Sequence, residues 1–374
     1  MIAFYCWTDT LLMNSLRVKT GTMAAEQADL IVLMLPRVSE RLVDRLEQTG
    51  CFRRVFRVQP PEDRLFGRFY KLFKLFRYRY YKQAIRNQLS GLSSRYDRLF
   101  SGGLWSYTIV LHDLMLENQP SLPIAFVEEG IANYGGMLSA MWCDPKGRKR
   151  DWLFRTLFYK NAYERAAQSA DALYLLCLPA CLEPGRLRLH KYPSSTAAFD
   201  ALVKEFVQNE DALPYRSRQV VVFLQPEAED DQRKTVQFIR ALADDYGPDQ
   251  MIVRPHPDDL HAMDRASLDP DIWIDRSRTP FEFTMTQVDW SDKVLVSRAS
   301  SCMFYPLYAF QQQPQVYFMF NLYVSGDEFL IQKLSKKLQC LYSDPSRVRF
   351  PNNLADFQQM LSLQKNHETE VPQP

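Results

Sequence analysis

The sequence predicts an α/β protein built from two doubly wound, parallel-sheet domains. The first observation is that short apolar runs alternate with longer amphipathic segments along most of the chain. Such alternation is typical of parallel strands joined by helices that cover both faces of a sheet. The second is the length of 374 residues, since one domain usually takes about 100–200 residues. The third is a proline-containing stretch of mixed polarity that separates two series of apolar runs.

The first series predicts an N-terminal domain over residues 1–185. Its apolar runs predict buried strands at 2–7, 30–35, 108–112 and 124–130. Residues 39–49 have the spacing of an amphipathic helix, and a longer helical stretch covers 151–174. These elements alternate as a doubly wound domain requires.

The second series predicts a C-terminal domain over 215–350, after a linker at 186–214. Its apolar runs predict strands at 219–226, 250–257, 272–275, 293–301 and 315–320. Helices are predicted near 231–246 and 280–286. Residues 351–374 are predicted to form a short C-terminal helix and a polar tail.

Composition narrows the class of protein. A hydrophobic content of 46% and a charged content of 24% are typical of a globular chain. The net charge of +2 is too small to indicate nucleic-acid binding, so we predict no such partner. No stretch approaches the roughly 18 apolar residues of a transmembrane helix, and the first residues lack a secretory signal. Seven cysteines without CxxC pairs favour a reducing cytoplasm.

Three polar clusters follow predicted strands, where ligands bind in open α/β sheets. The clusters are Glu128-Glu129-Gly130, then Arg254-Pro255-His256-Pro257, and then Ser297, Arg298, Ser300 and Ser301. Because such positions lie at the carboxyl edge of a parallel sheet, they are the candidate functional residues.

The acidic cluster is suited to proton transfer. Two adjacent carboxylates at a strand end point to opposite sides, so only one of Glu128 and Glu129 faces a ligand. That carboxylate could take a proton from an attacking hydroxyl, while Gly130 lets the substrate approach closely. The alternative is a solvated turn, which is common for isolated acidic pairs.

The histidine cluster is suited to a leaving phosphate. Flanking prolines fix the backbone and remove two amide donors, so the imidazole of His256 is held in a stiff loop. A rigidly held imidazole can donate to negative charge that develops on a phosphate. The alternative is a loop histidine whose prolines only shape the turn.

The serine cluster precedes a predicted helix start. Hydroxyls and amides there bind anions, although ordinary N-capping explains the same residues. Glu282 lies at another predicted helix start, where it could accept hydrogen bonds from a ribose or simply cap the helix. The sequence has no glycine-rich phosphate loop and no spacing of metal ligands. We therefore predict neither a metal nor a cofactor.

Residues 66–86 interleave aromatic and basic side chains. On a helix this pattern could lay aromatic rings into an interface and direct basic groups toward anionic lipid. The alternative is a helix that packs on the core with its basic ends in solvent.

Together the three clusters resemble the motifs of bacterial sialyltransferases. The chain is similar in particular to the lipooligosaccharide sialyltransferase family, glycosyltransferase family 52, with the bacterial polysialyltransferases as relatives. Glu128-Glu129-Gly130, His256-Pro257 and Ser300-Ser301 carry the resemblance in that order. The contexts are similar as well: "FVEEGIANY" around the first motif, "FLQP" at the start of the second half, and "RPHPDD" around the second motif. The stretch "TDTLLMNSLRVK" is similar to the first helix of the family.

The resemblance implies the GT-B architecture, in which two Rossmann-like domains face a central cleft. It implies that Glu129 is the general base for the acceptor hydroxyl, with Glu128 as the alternative. His256 would stabilise or protonate the phosphate of departing CMP, and Ser300 and Ser301 would hold that phosphate. Glu282 would contact the ribose or the cytosine.

The remaining members of the clusters are assigned to donor binding. They are Arg254, Pro257, Ser297 and Arg298. Two features depart from the family: the acidic motif has two glutamates where an aspartate is common, and Arg254 stands where lysine is expected.

The implied reaction is inverting transfer of sialic acid from CMP-sialic acid to a sugar hydroxyl of a bacterial surface glycan, either lipooligosaccharide or capsule. It requires no divalent metal. The alternatives are a hexosyltransferase of the same fold that uses another nucleotide sugar, and a noncatalytic glycan- or nucleotide-binding protein.

The expected partners are a nucleotide-sugar donor and a glycan or glycolipid acceptor. The expected location is the bacterial cytoplasm, with peripheral contact to the inner face of the cytoplasmic membrane through residues 66–86. Aromatic surface helices are also compatible with a homodimer.

Overall fold

A computed structural model describes two compact units of the chain, Met1–Leu202 and Val203–Pro374. The residues described are 1–35, 38–60, 74–93, 95–104, 109–135, 160–183, 185–206, 209–225, 229–256, 259–260, 268–277, 281–323 and 329–370. Residues 66–73 of the basic aromatic segment predicted at 66–86, and Pro257, lie outside these residues.

Within the described residues, the first unit contains one seven-stranded parallel sheet. Its strands are β1 Ile2–Cys6, β2 Ala28–Leu33, β3 Arg54–Val58, β4 Arg98–Ser101, β5 Ile124–Val127, β6 Ala170–Leu175 and β7 Arg188–Lys191. The order across the sheet is β3-β2-β1-β4-β5-β6-β7. Strand β1, which pairs with β2 and β4, is buried along its whole length, as expected for an inner strand of a parallel sheet.

Helices connect the strands of the first unit. They are α1 Asp9–Arg17, α2 Glu40–Gln48, α3 Lys74–Gln88, α4 Ile109–Asn118, α5 Lys160–Ser169 and α6 Ala197–Phe206, the last of which crosses the boundary into the second unit. Thr8 caps the first of them, since its hydroxyl accepts a hydrogen bond from the Leu11 N–H at 3.2 Å. A π-helical turn, Val18–Thr22, continues α1.

Within the described residues, the second unit contains a six-stranded parallel sheet. Its strands are β8 Val220–Phe223, β9 Met251–Arg254, β10 Trp273–Ile274, β11 Val294–Ser297, β12 Gln315–Phe318 and β13 Val348–Arg349. The order β10-β9-β8-β11-β12-β13 is the strand order of the Rossmann fold.

The helices of the second unit pack on this sheet. They are α7 Asn209–Ser217, α8 Glu229–Tyr246, α9 Phe281–Met285, α10 Tyr305–Phe310, α11 Phe329–Leu341 and α12 Leu354–Glu370. Phe238 and Leu242 of α8 and Phe357 of α12 share one apolar core with the strand residues Val222 and Val296. The predicted fold class is therefore confirmed for both units, each a parallel sheet with Rossmann-like order.

One predicted helix extends too far, because residues 170–174 of the helical stretch predicted at 151–174 belong to β6. One predicted strand is wrong. Residues 109–112, taken as the end of a strand at 108–112, form the start of α4, whose first eight residues are all buried. A short apolar run cannot distinguish a buried strand from a helix that is buried on every side. The apolar run continues through Leu114 and Leu116, which favours the helix.

The segment predicted as a linker, 186–214, contains regular structure. It includes β7, α6 and the first part of α7. The boundary between the two units falls after Leu202, inside this segment.

Candidate functional site

In each sheet the strand order reverses at one point. In open α/β sheets, ligands bind at the carboxyl ends of the strands beside such a point. In the first unit this switch point lies between β1 and β4. Thr8 follows β1, Gly102 follows β4, and Glu129 follows β5, the strand next to β4.

The Glu129 carboxylate reaches the switch point of the first unit. The Thr8 hydroxyl donates a hydrogen bond to Glu129 Oε1 at 3.3 Å. The other oxygen, Oε2, lies against Gly102, since a Cβ built on that glycine would stand only 2.7 Å from it. Glu129 as a whole residue is half-buried, and its carboxylate is held beside the switch point by these two contacts.

Glu128 faces the interior and has its own set of partners. Its Oε2 accepts hydrogen bonds from the Tyr134 hydroxyl at 2.6 Å, the Leu176 N–H at 2.9 Å and the Tyr192 hydroxyl at 3.3 Å. Burial raises the pKa of Glu128 to about 7, although the bonds from Tyr134 and Leu176 favour the ionised form. The two adjacent glutamates therefore lie in different environments.

Gly130 borders open space. A Cβ built on Gly130 would meet no described atom within 4 Å, and its φ lies outside the left-handed region. Among the described residues, neither backbone strain nor packing requires a glycine at this position.

In the second unit, Arg254 is buried at the end of β9. Its guanidinium forms an ion pair with Asp275 and donates to the Tyr215 hydroxyl at 3.1 Å. It also lies over the Phe281 ring, 5.0 Å from the ring centre. Burial alone would lower the pKa of Arg254, but Tyr215 and Asp275 more than offset this and raise it. Much of the hydrogen-bonding capacity of Arg254 is thus used inside the unit.

His256 follows the same strand. Pro255 is buried and His256 is half-buried, with its backbone carbonyl accepting a hydrogen bond from the Asp259 N–H at 2.8 Å. This bond closes a turn directly after β9. It keeps His256 at the carboxyl edge of the second sheet.

Ser297 closes the switch point of the second unit, which lies between β8 and β11. Its hydroxyl donates to the Phe223 carbonyl at 2.8 Å and accepts from the Ser300 N–H at 3.1 Å. It is fully buried. Ser297 therefore joins the ends of the two central strands.

Ser300 and Ser301 begin a 3₁₀ turn, Ser301–Met303. The Ser300 hydroxyl caps this turn by accepting from the Cys302 N–H at 3.2 Å, whereas Ser301 is exposed. Burial raises the pKa of the Cys302 thiol to about 12, and the charge of the half-buried Glu282 adds to the rise. The structure thus brings the predicted residues Glu282 and Ser300 to the same part of the second unit.

Arg298 directly follows β11. Its guanidinium donates to Asp231 at 3.2 Å and stands 4.4 Å from the centre of the Tyr323 ring. Its charge is therefore partly balanced within the second unit.

Two basic residues of the 66–86 segment bind carboxylates of the first unit. Lys82 of α3 forms ion pairs with Asp113 and Glu117 of α4, and Arg86 donates to Glu117 at 3.0 Å. These two side chains are therefore held against the protein.

The chain is similar in fold to solved structures of nucleotide-binding proteins. The S. aureus MnaA structure with UDP has a TM-score of 0.50 and 11% identity, and the alignment covers 100% of this chain and 98% of that chain. A UGT transferase from Siraitia grosvenorii in complex with UDP has a TM-score of 0.49 and 11% identity, with 98% and 92% covered. A putative UDP-N-acetylglucosamine 2-epimerase from Listeria monocytogenes has a TM-score of 0.48 and 10% identity, with 100% and 98% covered.

The first of these similarities supports the GT-B fold that the resemblance implied. At such low identity it concerns the fold alone and does not distinguish sialyltransferases from other GT-B proteins. No protein-family model matches the sequence, and no curated protein matches it either.

The described residues contain neither a candidate metal site nor a candidate membrane-spanning helix. No three His, Cys, Asp or Glu side chains among them cluster as a metal site would require. None of the helices described is both long and apolar enough to cross a bilayer.

Several residues around Glu128 and Glu129 were not predicted from the sequence. They are Thr8, Gly102, Asn133, Tyr134 and Tyr192. Asn133 and Tyr134 lie within "FVEEGIANY" and Thr8 begins "TDTLLMNSLRVK", so quoted motifs carried a local signal for three of them. Gly102 and Tyr192 lie outside these motifs and meet Glu129 and Glu128 only through the fold.

Proposed function

We propose that the protein is an inverting glycosyltransferase that transfers sialic acid from CMP-sialic acid to a sugar hydroxyl of a bacterial surface glycan, lipooligosaccharide or capsule. The observation that carries the proposal is the Glu129 carboxylate, which is half-buried beside the switch point and anchored by Thr8 and Gly102. The GT-B fold and the order of the three sequence motifs support it.

Glu129 is the proposed general base. It takes the proton of the acceptor hydroxyl as the oxygen attacks the anomeric carbon of the donor sugar. The bond from that carbon to the phosphate oxygen of CMP breaks on the opposite face, so one displacement inverts the configuration. Glu128 is less suited to this role, because it is buried and its Oε2 already accepts three hydrogen bonds.

His256 is the proposed group on the leaving-phosphate side. As the bond to CMP breaks, negative charge grows on the phosphate, and a protonated imidazole stabilises it or donates a proton. Ser300 and Ser301 are proposed to hold the phosphate, and Glu282 the ribose or the cytosine. Pro257, which follows His256 in the sequence, is proposed to contribute to donor binding.

Arg254, Ser297 and Arg298 act less directly in this proposal. Each already binds a partner in the second unit, namely Asp275, Phe223 and Asp231. We infer that they shape the donor site, with a guanidinium adding positive charge to it. The single phosphate of CMP carries less charge than a diphosphate, so serine hydroxyls, amides and the imidazole suffice without a metal.

The main alternative is a hexosyltransferase that uses a UDP-sugar. The S. aureus MnaA structure of similar fold contains UDP, which favours testing this donor class. A noncatalytic nucleotide- or glycan-binding protein would bind one of these donors without cleaving it.

The test compares nucleotide release from CMP-sialic acid, UDP-glucose and UDP-N-acetylglucosamine, each with and without lactose as a probe acceptor. We expect CMP release that lactose accelerates, and a loss of about 10²–10⁴-fold in Glu129→Gln. Glu40→Gln, a change at an exposed glutamate in the first turn of α2, is the matched control and should retain full activity. Release from a UDP-sugar alone would refute the sialyl donor, and a fully active Glu129→Gln would refute the base.

Peripheral membrane contact through residues 66–86 is the proposed cellular setting. The ion pairs of Lys82 and Arg86 reduce the charge that α3 can offer to lipid. Co-sedimentation with anionic but not neutral liposomes would support this contact, and equal recovery with both would refute an electrostatic role.

A further inference from the structure

Asn133 joins the two loops that meet at Glu129. It lies in the 3₁₀ turn Ile131–Gly135, directly after the acidic motif, and is buried. Its Oδ1 accepts a hydrogen bond from the Glu129 N–H at 3.0 Å, and its Nδ2 donates to the Gly102 carbonyl at 2.9 Å. One side chain therefore connects the loop after β5 with the loop after β4.

Both bonds require an amide. The Glu129 N–H can only donate and the Gly102 carbonyl can only accept, so the bridging side chain must offer one acceptor and one donor. Only one orientation of the Asn133 amide satisfies both partners. An aspartate would keep the bond to Glu129 and lose the bond to Gly102, and an alanine would lose both.

The Glu129 carboxylate contacts Gly102, the same residue whose carbonyl accepts a hydrogen bond from Asn133. A Cβ on Gly102 would stand 2.7 Å from Glu129 Oε2, 2.8 Å from a methyl carbon of Leu11 and 3.1 Å from Trp7. The carboxylate thus lies against the bare Cα of the glycine. If the two loops separated, Glu129 would lose this contact on one side while Thr8 held it on the other.

We propose that Asn133 is a positioning residue that aims the Glu129 carboxylate by fixing the Glu129 backbone to Gly102. The inference rests on the proposed function, in which Glu129 is the base. It adds a residue that touches no substrate and acts only through the base. A displacement of about 1 Å in a reacting group can cost on the order of 10²-fold in rate, so the loss of the bridge should appear in kcat.

The experiment is a double-mutant cycle on kcat for CMP release from CMP-sialic acid with lactose as acceptor. The variants are Asn133→Ala, Asn133→Asp, Glu129→Gln and the two double variants. We expect each Asn133 variant to lower kcat about 10–100-fold with an unchanged KM for the donor. In the Glu129→Gln background, the same Asn133 changes should cause no further loss, because there is no base left to aim.

Tyr96→Phe is the matched structural control. It removes a buried hydrogen bond to Asp29 in the same sheet, at the amino edge of the sheet and away from Glu129. It should lower the melting temperature without changing kcat. If Asn133→Ala does not fold, Asn133→Asp still tests the bridge, since it is of equal size and keeps the bond to the Glu129 N–H.

The outcomes separate the two proposals. An equal loss from the Asn133 change in both backgrounds, or no loss in either, overturns the positioning role and leaves Glu129 as the base. Full activity in Glu129→Gln alone overturns the base, and with it the proposed function. A loss in Asn133→Asp that disappears in the Glu129→Gln background supports both.

Discussion

The two sheets reverse their strand order at equivalent places, yet the residues at the two switch points differ in what they contact. In the first unit, Glu129 is anchored by Thr8 and Gly102 and remains half-buried. In the second unit, Ser297 is fully buried and binds both Phe223 and Ser300. The sequence position of a polar residue at a strand end therefore predicts where its side chain lies. It does not predict whether that side chain binds a ligand or stabilises the fold.

The arginines of the second unit extend this contrast. Arg254 ends β9 and Arg298 follows β11, and both bind carboxylates of their own unit. We infer that the second sheet uses much of its polar edge for internal cohesion. In the first unit, Glu128 is buried and accepts hydrogen bonds from residues of its own unit, whereas Glu129 is only half-buried.

The largest expected effect comes from breaking the buried ion pair of the second unit. Asp275→Ala leaves the Arg254 charge buried without its carboxylate, which should lower the free energy of unfolding by about 3–5 kcal/mol. Chemical denaturation of the full chain, followed by tryptophan fluorescence, measures the change, since Trp273 and Trp290 lie close to Tyr215.

Asp231→Ala is the matched control for this prediction. It removes the carboxylate from Arg298, whose pair is longer at 3.2 Å and more exposed. The expected loss is about 1 kcal/mol or less. Equal losses in the two variants would contradict the view that the deeper burial of the Arg254–Asp275 pair makes its loss more costly.

The fold was predictable to the extent that strands are buried on both faces. The runs at β1, β2, β5, β8 and β11 read as strands because their residues are almost all apolar. Strand β3 was missed, since it lies at the edge of the sheet and carries the exposed residues Arg54 and Arg57. Helix α4 was mistaken for a strand because burial on every side removes the helical period.

The site was predictable only in part. The acidic, histidine and serine motifs are continuous in the sequence, and each follows a strand as expected. The different environments of the Glu128 and Glu129 carboxylates were not predictable. They depend on Tyr192 and Leu176, which come from other parts of the chain and bind Glu128. The same holds for Thr8 and Gly102, which meet Glu129 only after the sheet has formed.

The second prediction concerns the pH dependence of stability. Burial raises the pKa of Glu128 from 4.5 to about 7. Because the folded state binds this proton more tightly than the unfolded state, the stabilisation is complete below about pH 4.5 and is lost as the pH rises through about 7. The expected loss is on the order of a few kcal/mol.

Glu128→Gln removes the titrating group and keeps an oxygen acceptor for Tyr134 and Leu176. Unfolding free energies between pH 5 and pH 8 should therefore fall more steeply for the natural protein than for the variant. Parallel slopes in the two proteins would show that Glu128 does not titrate in this range, and would weaken its contrast with Glu129.

The smallest expected effect separates two glycines of the first unit, Gly102 and Gly130. Gly102→Ala places a methyl group against Glu129, Leu11 and Trp7, which should cost about 1–3 kcal/mol of stability and displace the carboxylate.

Gly130→Ala meets no described atom within 4 Å, so its melting temperature should stay within about 1 °C of the natural protein, as for a neutral surface change. If a substrate approaches the backbone at Gly130, however, this variant should raise the KM for that substrate. Thermal melting and steady-state kinetics of the two variants test the difference: a destabilised Gly130→Ala would show that the glycine serves packing, and an unchanged KM would show that no substrate reaches it.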